Sequence, residues 1–179
     1  MCQSAEDLYG PAVRRDDGRG RAEGRGNPAG GRHTMRLDHL FDATWHYDLL
    51  QEVGSTDGGD GQVYGQGTGI LSGRVNGTAR WSNYPRLRGG YAFPEARGTV
   101  DVADGGFVLF SLTGMSSVTD GRGVHVMLFR TDDERYQWLN TVIAVGEGSV
   151  DRADGVLAMR YYACVVDHLP SLDAARAMT

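Results

Sequence analysis

The sequence predicts an all-β protein built as a single closed antiparallel β-barrel. Short segments in which apolar and polar residues alternate recur along the chain, and turn-forming residues separate them at the spacing typical of β-sandwiches and barrels. Glycine is also unusually frequent, with 27 among 179 residues. Glycines inside strands permit the sharp curvature by which a small barrel closes, and closure removes exposed sheet edges.

The first strand shows this alternation most clearly. Phe41, Ala43, Trp45, Tyr47 and Leu49 alternate with polar residues, a period of two that indicates a half-buried strand. Seven or eight strands are expected in all. The other predicted strands are Gln62–Ser72, Thr78–Asn83, Ala96–Val102, Phe107–Gly114, Val124–Thr131, Thr141–Val145 and Val156–Val166.

The expected domain organisation has three parts. Residues 1–34 are rich in glycine, arginine and acids, so we expect a disordered leader, either an over-extended start or an Arg-rich arm that touches a partner. Residues 35–168 form the barrel domain, and residues 169–179 form a short C-terminal helix or tail. One short helical turn is expected near 132–139, because Thr131 and Glu134 have the spacing of a capping box.

Composition excludes several classes of function. All 18 cationic residues are arginine, so a lysine Schiff base and a P-loop are excluded. The net charge of −5 gives no sign of a nucleic-acid partner. The chain has no apolar stretch long enough to suggest a membrane partner, and its N-terminus does not resemble a secretory signal. With two cysteines, Cys2 and Cys164, a cytoplasmic location is the expectation.

Three motif interpretations fail on spacing. Gly65, Gly67 and Gly69 are followed by further turn signals rather than a helix, so barrel curvature explains them better than dinucleotide binding. No Gly-x-Ser-x-Gly nucleophile elbow occurs. The histidines lack the spacing of metal ligands, so we expect no metal and no other cofactor. If a metal were bound, His46 and His125 would be the first candidates.

Two segments are dense in side chains that suit a binding site. Trp81 and Asn83 share a strand face just before Arg86, so an aromatic wall would lie beside an amide and a guanidinium. The alternative is a solvated loop. In the second segment, the helical turn would direct Trp138 and Asn140 to the barrel mouth.

Glu147 is the candidate acid or base at the end of the second segment. It has the strand parity of Ile143 and Val145, so if that face is interior a carboxylate would lie among apolar groups. Burial of that kind raises a carboxyl pKa and would suit proton transfer. The alternative is an exposed glutamate between Gly146 and Gly148.

Together these segments resemble a bacterial family, the domain of unknown function 3237 or UPF0311. The resemblance runs from about Leu37 to Val166 and rests on LSGRVNGTARWSNYPR, GTVDVADGGFVLFSLTG and RYQWLNTVIAVGEG. It implies a barrel like those of the calycins and allene oxide cyclases, which include cofactor-free enzymes and plain binders. The matched motif positions are Trp81, Asn83, Arg86, Tyr136, Trp138, Asn140 and Glu147.

The favoured hypothesis is therefore a cofactor-independent cyclase, isomerase or lyase. It would act on a small hydrophobic or aromatic carbonyl metabolite inside the barrel. Glu147 or His125 would move a proton, and Asn140, Asn83 and Arg86 would stabilise an oxyanion. The apolar wall would consist of Trp81, Trp138, Tyr136 and Tyr64.

Two alternatives remain open at the level of the sequence. The same pocket could bind or carry a hydrophobic ligand without catalysis, and the barrel could be a structural domain filled by its own side chains. A homodimer is a further possible assembly.

Overall fold

The computed structural model describes residues 35–54, 60–151 and 153–166. The expected leader, residues 1–34, and the expected terminal helix or tail, residues 169–179, lie outside this part of the chain. The described strands are β1 (Met35–Val53), β2 (Gly61–Gly73), β3 (Gly77–Asn83), β4 (Arg86–Arg88), β5 (Tyr91–Phe93), β6 (Glu95–Val102), β7 (Phe107–Ser117), β8 (Arg122–Arg130), β9 (Ile143–Asp151) and β10 (Val156–Val166).

Eight of these strands close into an antiparallel barrel, which confirms the predicted fold class. The order around the ring is β1, β2, β3, β6, β7, β8, β9 and β10, and β10 pairs again with β1. Strands β4 and β5 form a small hairpin between β3 and β6. The hairpin pairs with the start of β2 through Leu87 and with the end of β7 through Ala92, so it bridges the ring at one end.

The helical turn differs from the prediction. A 3₁₀ helix covers Gln137–Thr141, and no side chain caps its start. The Thr131 hydroxyl accepts a hydrogen bond from the Asp133 N–H (3.1 Å) and donates one to the Phe107 carbonyl (2.8 Å). Thr131 therefore closes a turn and does not begin a helix, which makes the predicted capping box wrong.

The end of the barrel beside the 3₁₀ helix is filled by its own side chains. Leu139 of this helix has no exposed surface and plugs that end. The Phe41 ring packs at 6.2 Å from Phe129 and at 5.0 Å from Tyr161, measured between ring centroids. This closed end leaves the opposite half of the barrel to hold a cavity.

Three glycines of β2 make room for aromatic rings inside the barrel. Gly65, Gly67 and Gly69 all point inward. A Cβ added at Gly69 would lie 2.5 Å from the Trp45 indole, and one at Gly65 would collide with the Tyr47 ring. Close approach of rings to backbone, one of the reasons expected for strand glycines, applies at these positions.

Candidate functional site

The barrel encloses a cavity of about 110 Å³ in the half away from the 3₁₀ helix. Its mouth lies at the β4–β5 hairpin, where Leu87 and Ala92 contribute to the wall. Glu52 and Asp151, both exposed, also line it. The volume is below the roughly 150 Å³ of an apolar protein cavity that admits benzene. The cavity can thus hold at most a single small ring, part of which would lie at the open mouth.

Aromatic side chains form one wall. The Trp81 ring meets Tyr47 edge to face at 4.6 Å and Trp45 at 6.2 Å, and Trp45 packs at 5.6 Å from Phe110. The Trp81 indole N–H is held by the Thr68 carbonyl at 3.0 Å. Edge-to-face contacts and a satisfied N–H fix this wall in place.

Asn83 is buried at the edge of the same wall. Its Nδ2 donates to the Tyr47 hydroxyl at 3.2 Å, and its Oδ1 accepts from the Glu95 N–H at 2.9 Å. Both ends of the amide are therefore used by the protein. Asn83 positions Tyr47 and joins β3 to the start of β6.

His125 lies on the inner face of β8 and lines the cavity with 3 % of its surface exposed. Its Nε2 is 3.1 Å from the Ser116 hydroxyl, while its Nδ1 is buried without a hydrogen-bond partner. Burial lowers the pKa of His125 from 6.5 to about 4. The imidazole is therefore uncharged at neutral pH.

Glycines flank His125 on both neighbouring strands. Gly114 of β7 and Gly146 of β9 are its partners in the two ladders. Gly146 in turn pairs with Tyr161 of β10, and a Cβ at Gly146 would collide with the Tyr161 ring. The Tyr161 ring thus lies over Gly146, on the side of His125.

Tyr161 and Trp45 contribute two further buried polar atoms. The Tyr161 hydroxyl and the Trp45 Nε1 are both buried without a hydrogen-bond partner. Burial raises the pKa of Tyr161; the neighbouring Trp45 opposes the rise, although the pair lacks regular hydrogen-bond geometry. Buried polar groups without partners are rare in folded proteins and point to an unfilled role, such as binding a ligand or a water molecule.

Three of the predicted site residues meet at the cavity: His125, Trp81 and Asn83. Glu147 does not: of the two orientations open at the level of the sequence, the structure has the exposed one, so its role as a buried acid or base is wrong. Along β9 the inward positions are Ala144 and Gly146, so Glu147 is exposed on the outer surface. Its Oε1 accepts a hydrogen bond from the Tyr162 hydroxyl at 3.2 Å.

The residues expected to reach the mouth from the helical turn lie at the closed end instead. The Asn140 Oδ1 accepts a hydrogen bond from the Thr131 N–H, and its Nδ2 donates one to the Thr131 carbonyl, each at 2.9 Å. The Tyr136 hydroxyl donates to Asp104, and Trp138 packs beneath the Arg74 guanidinium. These residues lie at the closed end because β8 runs away from the cavity, so the helical turn that follows it begins at the far end of the barrel.

Arg86 and Tyr64 also lie outside the cavity. Arg86 is exposed on β4, where the adjacent Leu87 faces the cavity instead. Tyr64 follows the inward-facing Val63 and stacks on Tyr84 at 5.0 Å on the outer surface. Cys164, a free thiol, is half-buried on β10.

Sequence reasoning missed Tyr161, Ser116, Tyr47 and Trp45 as site residues. Tyr161 has the parity of Leu157 and Met159, so alternation along the last strand marks it as inward. Ser116 carried no such signal, because the predicted strand ended at Gly114 and the real one continues to Ser117.

Within the described ranges, no group of three or more histidines, cysteines or carboxylates is placed to hold a metal ion. Nor does this part of the chain contain a helix long and apolar enough to cross a membrane.

No protein-family model and no curated protein matches this sequence. Solved structures do match in fold. A conserved protein of unknown function from Rhodopseudomonas palustris aligns with TM-score 0.64 and 16% identity, over 74% of this chain and 99% of its own. A β-barrel-like protein from Acinetobacter baumannii AYE aligns with TM-score 0.61 and 19% identity, over 79% and 100%. An enzyme from Penicillium herquei aligns with TM-score 0.59 and 22% identity, over 76% and 100%.

Proposed function

We propose that this chain is an enzyme that moves a proton on a small, largely apolar carbonyl compound held in the barrel. The observation that carries this is the state of His125. It is uncharged, one ring nitrogen faces Ser116, and the other is buried without a protein partner. A proton acceptor that the protein positions but does not use is what general base catalysis requires.

The chemistry is an isomerisation, cyclisation or elimination that begins by forming an enolate. With the proton on Nε2 shared with Ser116, the Nδ1 lone pair of His125 removes a proton from the carbon next to the carbonyl. The electrons pass to the carbonyl oxygen, which accepts a hydrogen bond from the Tyr161 hydroxyl. In an isomerisation, His125 then returns the proton to another carbon. In a cyclisation the enolate carbon attacks a second carbonyl, whose oxygen takes the proton, and in an elimination a leaving group departs from the β-carbon with the proton. None of these involves a net redox change.

This proposal gives two catalytic roles to residues other than those favoured by the sequence. Tyr161 takes the oxyanion role expected of Asn140, Asn83 and Arg86, because Asn83 is occupied by Tyr47 and the other two lie outside the cavity. His125 takes the proton-transfer role instead of Glu147. The fold shared with the Penicillium herquei enzyme supports catalysis in this barrel. The resemblance to domain of unknown function 3237 assigns no role to any of these residues.

Binding without catalysis is the second candidate, and one observation favours it. The cavity wall is mostly apolar, and a histidine of pKa about 4 is a weak base. A carrier would use the same pocket and the same hydrogen bonds without turnover.

The β,γ-unsaturated isomer of cyclohexenone tests both candidates, because one base can convert this single ring to the conjugated ketone. Conversion and solvent deuterium incorporation are followed by NMR in heavy water. We expect the protein to accelerate both, and His125→Gln to lower the rate roughly 10²–10⁴-fold. Ser116→Ala should reduce it less, because it removes only the orienting hydrogen bond.

His46→Gln is the matched control, since His46 lies on the outer face of β1 and should leave the rate unchanged. Saturable binding of the ketone without acceleration would support the carrier and contradict the enzyme. Absence of both binding and acceleration would contradict both.

A further inference from the structure

We infer, building on the proposed function, that the ligand enters the cavity with an uncharged, oxygen-bearing ring first, and that carboxylates are rejected from its deep end. Three properties of the wall lead to this: its charge, its unpartnered hydrogen-bonding groups and its volume.

The charge of the wall excludes a buried anion. Among the described residues that line the cavity, none is an arginine, and the one buried titratable nitrogen base is the neutral His125. At the mouth the charged lining side chains, Glu52 and Asp151, are both acidic, so the described part of the lining offers a carboxylate no cation there. A carboxylate would lose its hydration without gaining a cationic partner, which is strongly unfavourable.

The deep wall offers hydrogen bonds to a neutral oxygen. Trp45 and Tyr161 carry an N–H and an O–H without partners, and His125 Nδ1 can accept or donate according to its tautomer. A carbonyl oxygen could accept hydrogen bonds from Trp45 and Tyr161, and a phenol hydroxyl could in addition donate one to the His125 Nδ1.

The volume limits how much of the ligand is enclosed. About 110 Å³ accommodates one ring, so the remainder of a larger molecule would lie at the mouth between the hairpin and the two carboxylates. A neutral or positively charged extension suits that position better than a negative one.

Three ring probes of similar size separate these effects: phenol, benzene and benzoate. Binding is measured at pH 7.5 by titration of ¹⁵N-labelled protein, with the Trp45 indole N–H as reporter. We expect phenol to bind at least roughly tenfold more tightly than the other two and to shift the Trp45 resonance, a discrimination of the size expected for one buried hydrogen bond. Equal affinity for benzoate, or phenol binding that leaves Trp45 unshifted, would overturn the inference.

Tyr161→Phe should weaken phenol binding roughly tenfold and leave benzene binding unchanged. Tyr162→Phe, one residue away on the outer face, is the matched control and should bind phenol as the unmodified chain does. If phenol binds as expected but cyclohexenone is not isomerised, the proposed function fails and the ligand assignment stands. If isomerisation occurs but benzoate binds equally well, the ligand assignment alone fails.

A different observation carries a second inference, about the outer surface of β7, β8 and β9. Seven large apolar side chains there are each 38–56% exposed, and we call them the β8 face: Phe107, Leu109, Met115, Val124, Val126, Leu128 and Ile143. Strand register places Val126 near the centre, opposite Thr113 on β7 and Val145 on β9. Elsewhere the outer surface carries cross-strand ion pairs, such as Arg80 with Asp101.

We infer that the β8 face joins two copies of this chain. Seven exposed apolar side chains on three adjacent strands are the kind of contiguous patch that marks an interaction site, and they supply the apolar centre of an interface. Flat sheet faces pack on one another, and one self-complementary surface gives a closed two-fold dimer. The charges beside this face have opposite signs, with Glu147 opposite Val124 and Arg130 opposite Leu109, so two copies of net charge −5 repel less here than at an acidic surface.

Sedimentation velocity on the full chain tests this. We expect a dimer for the unmodified protein and a monomer for Val126→Glu and Leu128→Glu, with unchanged circular dichroism. Ile70→Glu is the control, because Ile70 is 64% exposed but lies between Thr44 and Thr78 on the other side of the barrel. A monomeric unmodified protein, or a dimeric Val126→Glu variant, would overturn the inference.

Discussion

Burial leaves His125 uncharged near neutral pH, because the imidazole loses hydration and gains no opposing charge. The side chain therefore acts through its lone pair and its N–H rather than as a cation. Ser116 contacts Nε2 and leaves Nδ1 buried in the cavity wall without a protein partner.

The same burial predicts a pH-dependent stability. The native His125 binds a proton only below about pH 4, whereas in the unfolded chain it does so below about 6.5. Between these values the unfolded state holds more protons, so the free energy of unfolding falls as the pH falls. We expect a loss of roughly 3 kcal/mol from pH 7 to pH 4.

Urea unfolding of the unmodified protein and His125→Gln across this range measures the effect. Comparison at each pH cancels the contribution of surface carboxylates such as Asp42 and Asp133, which the two proteins share. Parallel curves for the two proteins would contradict the assignment of the slope to His125.

For Glu147 we expect almost no effect of substitution, in contrast to His125. Because it lies on the outer surface with Tyr162 as its partner, Glu147→Gln should change the rate of cyclohexenone isomerisation by less than roughly twofold and the free energy of unfolding by at most about 0.5 kcal/mol. Kinetics and urea unfolding check this. A large fall in rate with unchanged stability would return Glu147 to the site.

At the scale of the element, β1 and β2 show how glycines create an aromatic site. Trp45 and Tyr47 of β1 occupy space that side chains at Gly69 and Gly65 of β2 would fill. A register shift between Tyr47 and Leu49 then turns Leu50 towards the mouth. The first strand therefore contributes side chains to both the deep wall of the cavity and its mouth.

Gly69→Ala should displace the Trp45 indole and destabilise the barrel by roughly 1–3 kcal/mol, the usual range for overpacking. Phenol affinity should fall with it, because Trp45 supplies one of the donors. Gly54→Ala is the control, since a Cβ there meets nothing within 4 Å. Urea unfolding and phenol titration measure the two effects, and a neutral Gly69→Ala would contradict this packing.

Strand positions and the all-β class were predictable because alternation records which side of a strand is buried. The ends of the strands were not predictable, and for this reason the candidate site residues were partly wrong. The predicted strand Thr141–Val145 starts at Ile143 and continues to Asp151, so Glu147 lies within it and on its outer face. The hairpin after Pro85 was also absent from the prediction, because six paired residues give too short a pattern to detect.

At the scale of the molecule, the ring closes only when the first and last strands meet. Strand β1 pairs with both β2 and β10, so neither half of the sheet is complete without it. Such a barrel should unfold in one cooperative step.

The tryptophans allow this to be tested, because Trp45 and Trp81 lie at the cavity while Trp138 lies towards the closed end. In Trp138→Phe, fluorescence reports the cavity half alone, whereas far-ultraviolet circular dichroism reports the whole barrel. We expect the two signals to give the same denaturant midpoint. A lower fluorescence midpoint would show that the cavity half unfolds separately.

The β4–β5 hairpin has a kinetic consequence. It is joined to β2 by only two residue pairs, at Gly61 and Gln62, and to β7 by two more, at Tyr91 and Ala92. These few bonds break more readily than the long ladders of the ring. In the proposed binding role, a ligand would pass this hairpin on entering and leaving, so Leu87→Ala should speed both association and dissociation, as measured by stopped-flow fluorescence with phenol.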